Sequence, residues 1–125
     1  MNEIIRNFYD LEAWKKGHKL VLEIYKLTKG FPKEELFGII AQLRRAASSI
    51  TANIAEGFER YHFKDKIRFY YQARGSVAEV QNFLLLAKDL EYINFETCKN
   101  LGQKANEVRQ IINGLIRSIE KQQTI

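Results

Sequence analysis

Apolar residues recur along this chain at alternating spacings of three and four, and four segments carry the rhythm. In the first, Leu11, Trp14, His18, Val21, Tyr25 and Thr28 share one helical face. The second carries Leu36, Ile40, Leu43, Ala47, Ile50 and Ile54, and the third Tyr70, Ala73, Val77, Val80, Leu84 and Ala87. The fourth carries the cleanest stripe, Cys98, Leu101, Ala105, Val108, Ile112, Leu115 and Ile119. The spacing predicts helices over about Leu11–Lys29, Lys33–Arg60, Lys64–Glu91 and Glu96–Gln122. Asp10 and Asn94 stand where an N-cap carboxylate or amide is wanted. Glu34 and Glu35 suit a first turn, and Gly30 followed by Pro32 reads as a left-handed helix end. Gly75, inside the third helix, implies close approach of another backbone.

The links between these segments are short, so sequential helices must be antiparallel neighbours. The predicted fold is all-α: one antiparallel up-down-up-down four-helix bundle spanning residues 1–125. With one Pro and seven Gly among 125 residues, the turn density of a small β-sandwich or barrel is missing.

Beside the core stripes lie further apolar residues. Helix one adds Leu20, Ile24, Leu27 and Phe31; helix three adds Phe69, Phe83, Leu86, Leu90 and Ile93; helix four adds Ile111 and Ile116. A bundle helix fills its own core with about 100° of face. The surplus is read as an interface between subunits, against the plainer reading of a wide core.

Polar residues form a second pattern. Arg45, Ser49, Asn53 and Glu56 step along helix two, and Gln72, Ser76 and Glu79 make a matching row on helix three. Ser and Asn are poor mid-helix residues unless they bond elsewhere, so the rows are expected to meet as a structural network. An acid/base site built from Arg45, Glu56 and Glu79 is the weaker reading, because no tuned nucleophile, metal site or His accompanies them.

Charge changes the picture modestly. The net charge is +5, spread without a basic arm. Yet Arg60, Lys64, Lys66, Arg68 and Arg74 gather around the second interhelical junction, interleaved with Phe58, Tyr61, Phe63, Phe69, Tyr70 and Tyr71. Cations neutralise phosphates and rings stack on unpaired bases, so these residues, with Arg44, are the candidate nucleic-acid contacts. For any single residue the plainer reading is packing or solvation at the bundle end; repetition around an oligomer axis would strengthen the field. No catalytic residues, cofactor or metal are expected. The two histidines, His18 and His62, do not follow a Glu by three as a di-iron bundle needs, and the lone Cys98 excludes an intrachain disulfide. No run reaches a membrane span and the first residues lack a signal-peptide core, which predicts a cytoplasmic protein with no membrane partner.

Several runs carry a resemblance: Asp10-Leu11-Glu12-Ala13-Trp14; Phe31-Pro32-Lys33-Glu34-Glu35; Gln42 through Ile50; Asn53-Ile54-Ala55-Glu56-Gly57; and Gly75-Ser76-Val77-Ala78-Glu79. Together they resemble the four-helix-bundle proteins encoded within intervening sequences of bacterial 23S ribosomal RNA genes, a family that includes accessory proteins of diversity-generating retroelements. The resemblance implies a homopentameric, basic, barrel-shaped ring. For the retroelement branch it implies engagement of RNA or DNA and of a partner protein, a reverse transcriptase. Arg45, Ser49, Asn53, Glu56, Gly57, Ser76 and Glu79 match the family's motif positions, which favours fold and assembly over catalysis.

Overall fold

The computed structural model describes residues 4–123; residues 1–3 and 124–125 of the expected 1–125 span lie outside the described residues. A 3-10 turn at Phe8–Asp10 leads into α1 (Glu12–Thr28), and a second at Lys33–Glu35 precedes α2 (Ile39–Glu59). α3 (Phe63–Asp89) and α4 (Phe95–Gln123) complete an all-α four-helix bundle.

Contacts fix the antiparallel order. Glu23 of α1 pairs with Lys104 of α4 at 2.6 Å, while a methyl at the earlier Gly17 would touch the later Val108. Between α2 and α3, Arg45 meets Glu79, Ser49 meets Ser76, and Gly57 lies under Tyr70. α3 and α4 are joined through Arg74–Asn113, Gln81–Gly102 and Leu84–Cys98. The start of α1, the α2–α3 turn and the end of α4 therefore share one pole. The other two connections share the opposite pole, where the Tyr92 hydroxyl donates to Glu35 at 2.8 Å.

The core follows the predicted stripes of α2 and α3, with Leu43, Ile50, Ile54, Val77, Val80 and Leu84 fully enclosed. Leu36 departs from its stripe and is exposed, while on α4 Leu115 and Ile119 are only partly buried and Ile116 turns inward. α1 is rotated relative to expectation. Its buried face is Ala13, Gly17, Leu20, Ile24 and Thr28, continued by Phe31, whereas Trp14, His18 and Val21 sit at the core's edge. The small residues decide this: a methyl at Gly17 would stand 3.1 Å from Thr51 Cγ2, so α1 and α2 approach closely only with that face inward. Leu20, Ile24, Phe31, Ile93 and Ile116, read as surplus, are thus core.

Several local expectations also change. α2 starts at Ile39 rather than Lys33, because Gly38 leaves the helical region and Glu35 is pinned by Tyr92. Asp10 accepts from the Asn7 N–H at 3.1 Å within its own 3-10 turn, and Leu11 precedes α1 instead. Gly30 is not left-handed. Among the described residues the left-handed one is Glu91, with φ 65°, in a Schellman closure: its N–H bonds to the Lys88 carbonyl and the Tyr92 N–H to that of Ala87. Gly75 faces open space, with nothing within 4 Å of an added methyl. Asn94 caps α4 as expected, accepting from the Thr97 N–H at 2.8 Å.

Candidate functional site

The polar rows do meet. Arg45 Nη2 donates to Glu79 at 2.8 Å and to Gln42, tying α2 to α3 at the surface. Four residues on, Ser76 Oγ lies 3.0 Å from Ser49 Oγ and 3.2 Å from the Gln72 carbonyl, and its single proton serves one acceptor at a time. Asn53 Nδ2 donates back to the Ser49 carbonyl at 2.9 Å and to Ser49 Oγ at 3.1 Å. Each hydroxyl and amide that helical propensity disfavours at these positions has a partner. Glu56 stands apart from this seam, pairing with Arg60 at 3.1 Å, and Gln72 joins it only through its backbone. Arg45, Glu56 and Glu79 therefore do not converge on one point.

The cationic candidates divide. Arg44 belongs to the opposite pole, roughly 24 Å along α2 from Arg60 at 1.5 Å per residue. Its Nε donates to Thr28 Oγ1 at 2.8 Å and its guanidinium lies 4.7 Å from the centre of the Tyr25 ring. The buried Thr28 hydroxyl in turn donates to the Ile24 carbonyl at 2.8 Å, so Arg44 fastens the end of α1 to α2. Lys66 is also committed inward. Its ammonium donates to the Phe58 carbonyl at 2.7 Å and the Gly57 carbonyl at 3.3 Å, closing the last turn of α2. Burial pushes its pKa below the usual lysine value, partly offset by nearby Glu59. Arg74 donates to Asn113 Oδ1 at 2.9 Å and lies over Tyr71, bridging α3 to α4.

Three cations remain on the surface at the α2–α3 turn: Arg60, Lys64 and Arg68. Arg60 and Arg68 both lie over the Phe69 ring, at 4.8 and 5.3 Å. Between them the chain exposes His62 and Tyr61, whose ring is 87% exposed and meets His62 edge-on. Of the interleaved aromatics, Tyr70 alone is fully buried; desolvation pushes its phenol up to about 12.

One surface was missed entirely. At the other pole an open groove of roughly 570 Å³ runs between α3 and α4, floored by Leu84 and Cys98 and walled by Leu85 and Phe95. Leu85 is 51% and Phe95 62% exposed, and Phe37, just before α2, is 92% exposed. The adjacency of Phe37 to Gly38 was the only signal for the latter. The Cys98 thiol donates to the Leu84 carbonyl, and His18 stacks on Trp14 at 4.5 Å. Among the described residues no group of three or more His, Cys, Asp or Glu could hold a metal ion, and no helix is long and apolar enough to cross a membrane.

Fold and surface together define an antiparallel four-helix bundle in which Arg44, Arg45, Arg74 and Ser76 make helix-to-helix bonds. The chain belongs to the 23S rRNA-intervening sequence protein family, whose model matches residues 9–114. Its fold is similar to the crystal structure of a protein of unknown function from the S23 ribosomal protein family of Bacteroides thetaiotaomicron VPI-5482. The TM-score is 0.78 at 24% identity, covering 84% of this chain and 95% of that one. At that identity the likeness shows the fold alone. No curated protein matches the chain.

Proposed function

We propose that this chain is a non-enzymatic subunit of a homo-oligomeric scaffold, a homopentameric ring, that binds RNA or DNA at the pole carrying the α2–α3 turn. One observation carries the binding reading: Tyr61 stands almost fully in solvent between Arg60 and Lys64, with Arg68 a turn further on. An exposed ring beside exposed cations suits an unpaired base and its phosphates. Arg44, Lys66 and Arg74 have internal work and are left out of that surface. A single copy offers few charges, and a ring would multiply them around its axis.

Fluorescence polarisation with single-stranded and structured RNA and DNA, across a salt series, tests this. Log affinity should fall linearly with log salt by roughly 0.7–0.9 per phosphate neutralised. Tyr61→Ala should weaken binding to single strands by about 1–3 kcal/mol per stacked base. Absence of binding at low salt, or affinity indifferent to salt, refutes it.

The second reading is a protein-binding adaptor for a nucleic-acid enzyme such as a reverse transcriptase. It is favoured by Leu86 on α3 and Leu90 at its C-cap, both exposed. Partner capture that survives reversal of Lys64 and Arg68, while nucleic-acid binding is lost, would establish it.

A further inference from the structure

Phe37 is an anomaly for an isolated bundle. An aromatic ring 92% exposed at the entrance to a helix does nothing for its own core, and Leu36 beside it is exposed as well. The turn that presents this pair is acidic: Glu34 and Glu35 outnumber Lys33. The same pole carries a feature of opposite character. The α3–α4 groove is almost wholly apolar within, and the charged residues on its rim are Lys88 and Lys99, with no carboxylate among its lining. Lys88 lies 3.6 Å from its chain neighbour Asp89 at the surface, outside the groove.

We propose that the groove receives Phe37 of a second copy of this chain, with Glu34 of that copy set against Lys88 and Lys99. The inference rests on the assembly reading above and names its contact. Knob and groove are different patches of one protomer, so the contact is head-to-tail and each copy offers one of each. The Tyr92–Glu35 bond ties the turn before Phe37 to the α3–α4 connection, so both patches belong to the same pole of the bundle. Repeated around an axis, a head-to-tail contact closes into a ring where its rotation divides the full turn, and that closed form is the assembly proposed above.

The protomer itself supplies two clean variants. Phe37→Ala removes a ring that touches solvent, leaving the core alone. Gly102→Leu places bulk in the groove that Gly102 lines, because a Cβ there has nothing within 4 Å in its own protomer, and leucine is the better helix former. Sedimentation velocity and multi-angle light scattering on the full chain read the result, with circular dichroism confirming that each variant stays helical. Each variant alone should self-associate at least roughly 30-fold more weakly than wild type, the scale of a lost aromatic anchor. An equimolar mixture should form a one-to-one dimer and stop there, since only one intact knob–groove pair is available. Glu34→Lys should weaken assembly, and adding Lys88→Glu with Lys99→Glu should restore it. A wild-type assembly unchanged by Phe37→Ala and Gly102→Leu, or a mixture that fails to pair, overturns this contact and leaves the assembly reading standing. A wild type that stays monomeric overturns both.

Discussion

Gly57→Ala is the sharpest test of how α2 and α3 are packed. A methyl built at Gly57 would stand 2.6 Å from Cε1 and 2.9 Å from Cδ1 of Tyr70, and 3.2 Å from Cβ of Phe69. Carbon atoms rest at about 3.5–4.0 Å, so the ring must retreat by about 1 Å. Tyr70 is buried and has little room to do so. Overpacking of this kind costs about 1–3 kcal/mol. Alanine recovers less than about 1 kcal/mol of helix propensity, because Gly57 sits in the last turn of α2. The net expectation is a loss of about 1–2 kcal/mol, a fall in melting temperature of roughly 4–8 °C for a chain of this size. Thermal unfolding by circular dichroism at one fixed protein concentration measures it, so that association does not shift the comparison. Gly75→Ala is the internal control. It places the same methyl in open space and should stabilise by about 1 kcal/mol. A Gly57→Ala protein as stable as wild type would refute the close approach.

Other expectations follow from single contacts. Tyr70 keeps its proton to about pH 12 when folded but loses it near 10 when unfolded, so its contribution is complete below pH 10 and lost as pH climbs to 12; Tyr70→Phe should flatten that alkaline decline in urea unfolding, against which the lowered Lys66 pKa acts in the opposite sense. Glu91→Gly relieves a left-handed non-glycine residue and should add about 1 kcal/mol by chemical denaturation. Arg44→Gln should leave nucleic-acid affinity unchanged while lowering stability by about 1–3 kcal/mol, whereas Arg60→Gln and Lys64→Gln should each flatten the salt slope by about 1 and leave the melting temperature nearly unmoved. The Arg45–Glu79 pair is about half exposed on both sides, so a double-mutant cycle should return less than about 1 kcal/mol.

What the sequence discloses depends on how each position earns its place. α2 and α3 were legible because large aliphatics at three-and-four spacing mark their buried faces. α1 was misphased because its inward face begins with Ala13 and Gly17, residues that leave no apolar stripe, while Gly17 sets how closely α1 and α2 approach. The break at Gly38 was hidden by Leu36 and Ile40, whose spacing continues the helical rhythm across it. The Arg45–Ser49–Ser76–Glu79 seam was readable, since mid-helix serines need partners. The division of the cations was not: composition places Lys66 beside Lys64, but only the fold shows one turned onto the carbonyls of α2 and the other left in solvent. The α3–α4 groove depends on two helices crossing, with a glycine at the gap, and no pattern along one chain announces it.

The winding order also bears on how the molecule forms. Each helix packs against the one just synthesised, and contacts between distant parts of the chain (α1 with α4, the Phe8–Asp10 turn with α2, Tyr92 with Glu35) are fewer. Such nearest-neighbour pairing gives a low contact order, and helical domains of that kind fold in microseconds to milliseconds. Hairpins can therefore assemble in succession, with the Glu23–Lys104 ion pair among the last contacts to be made.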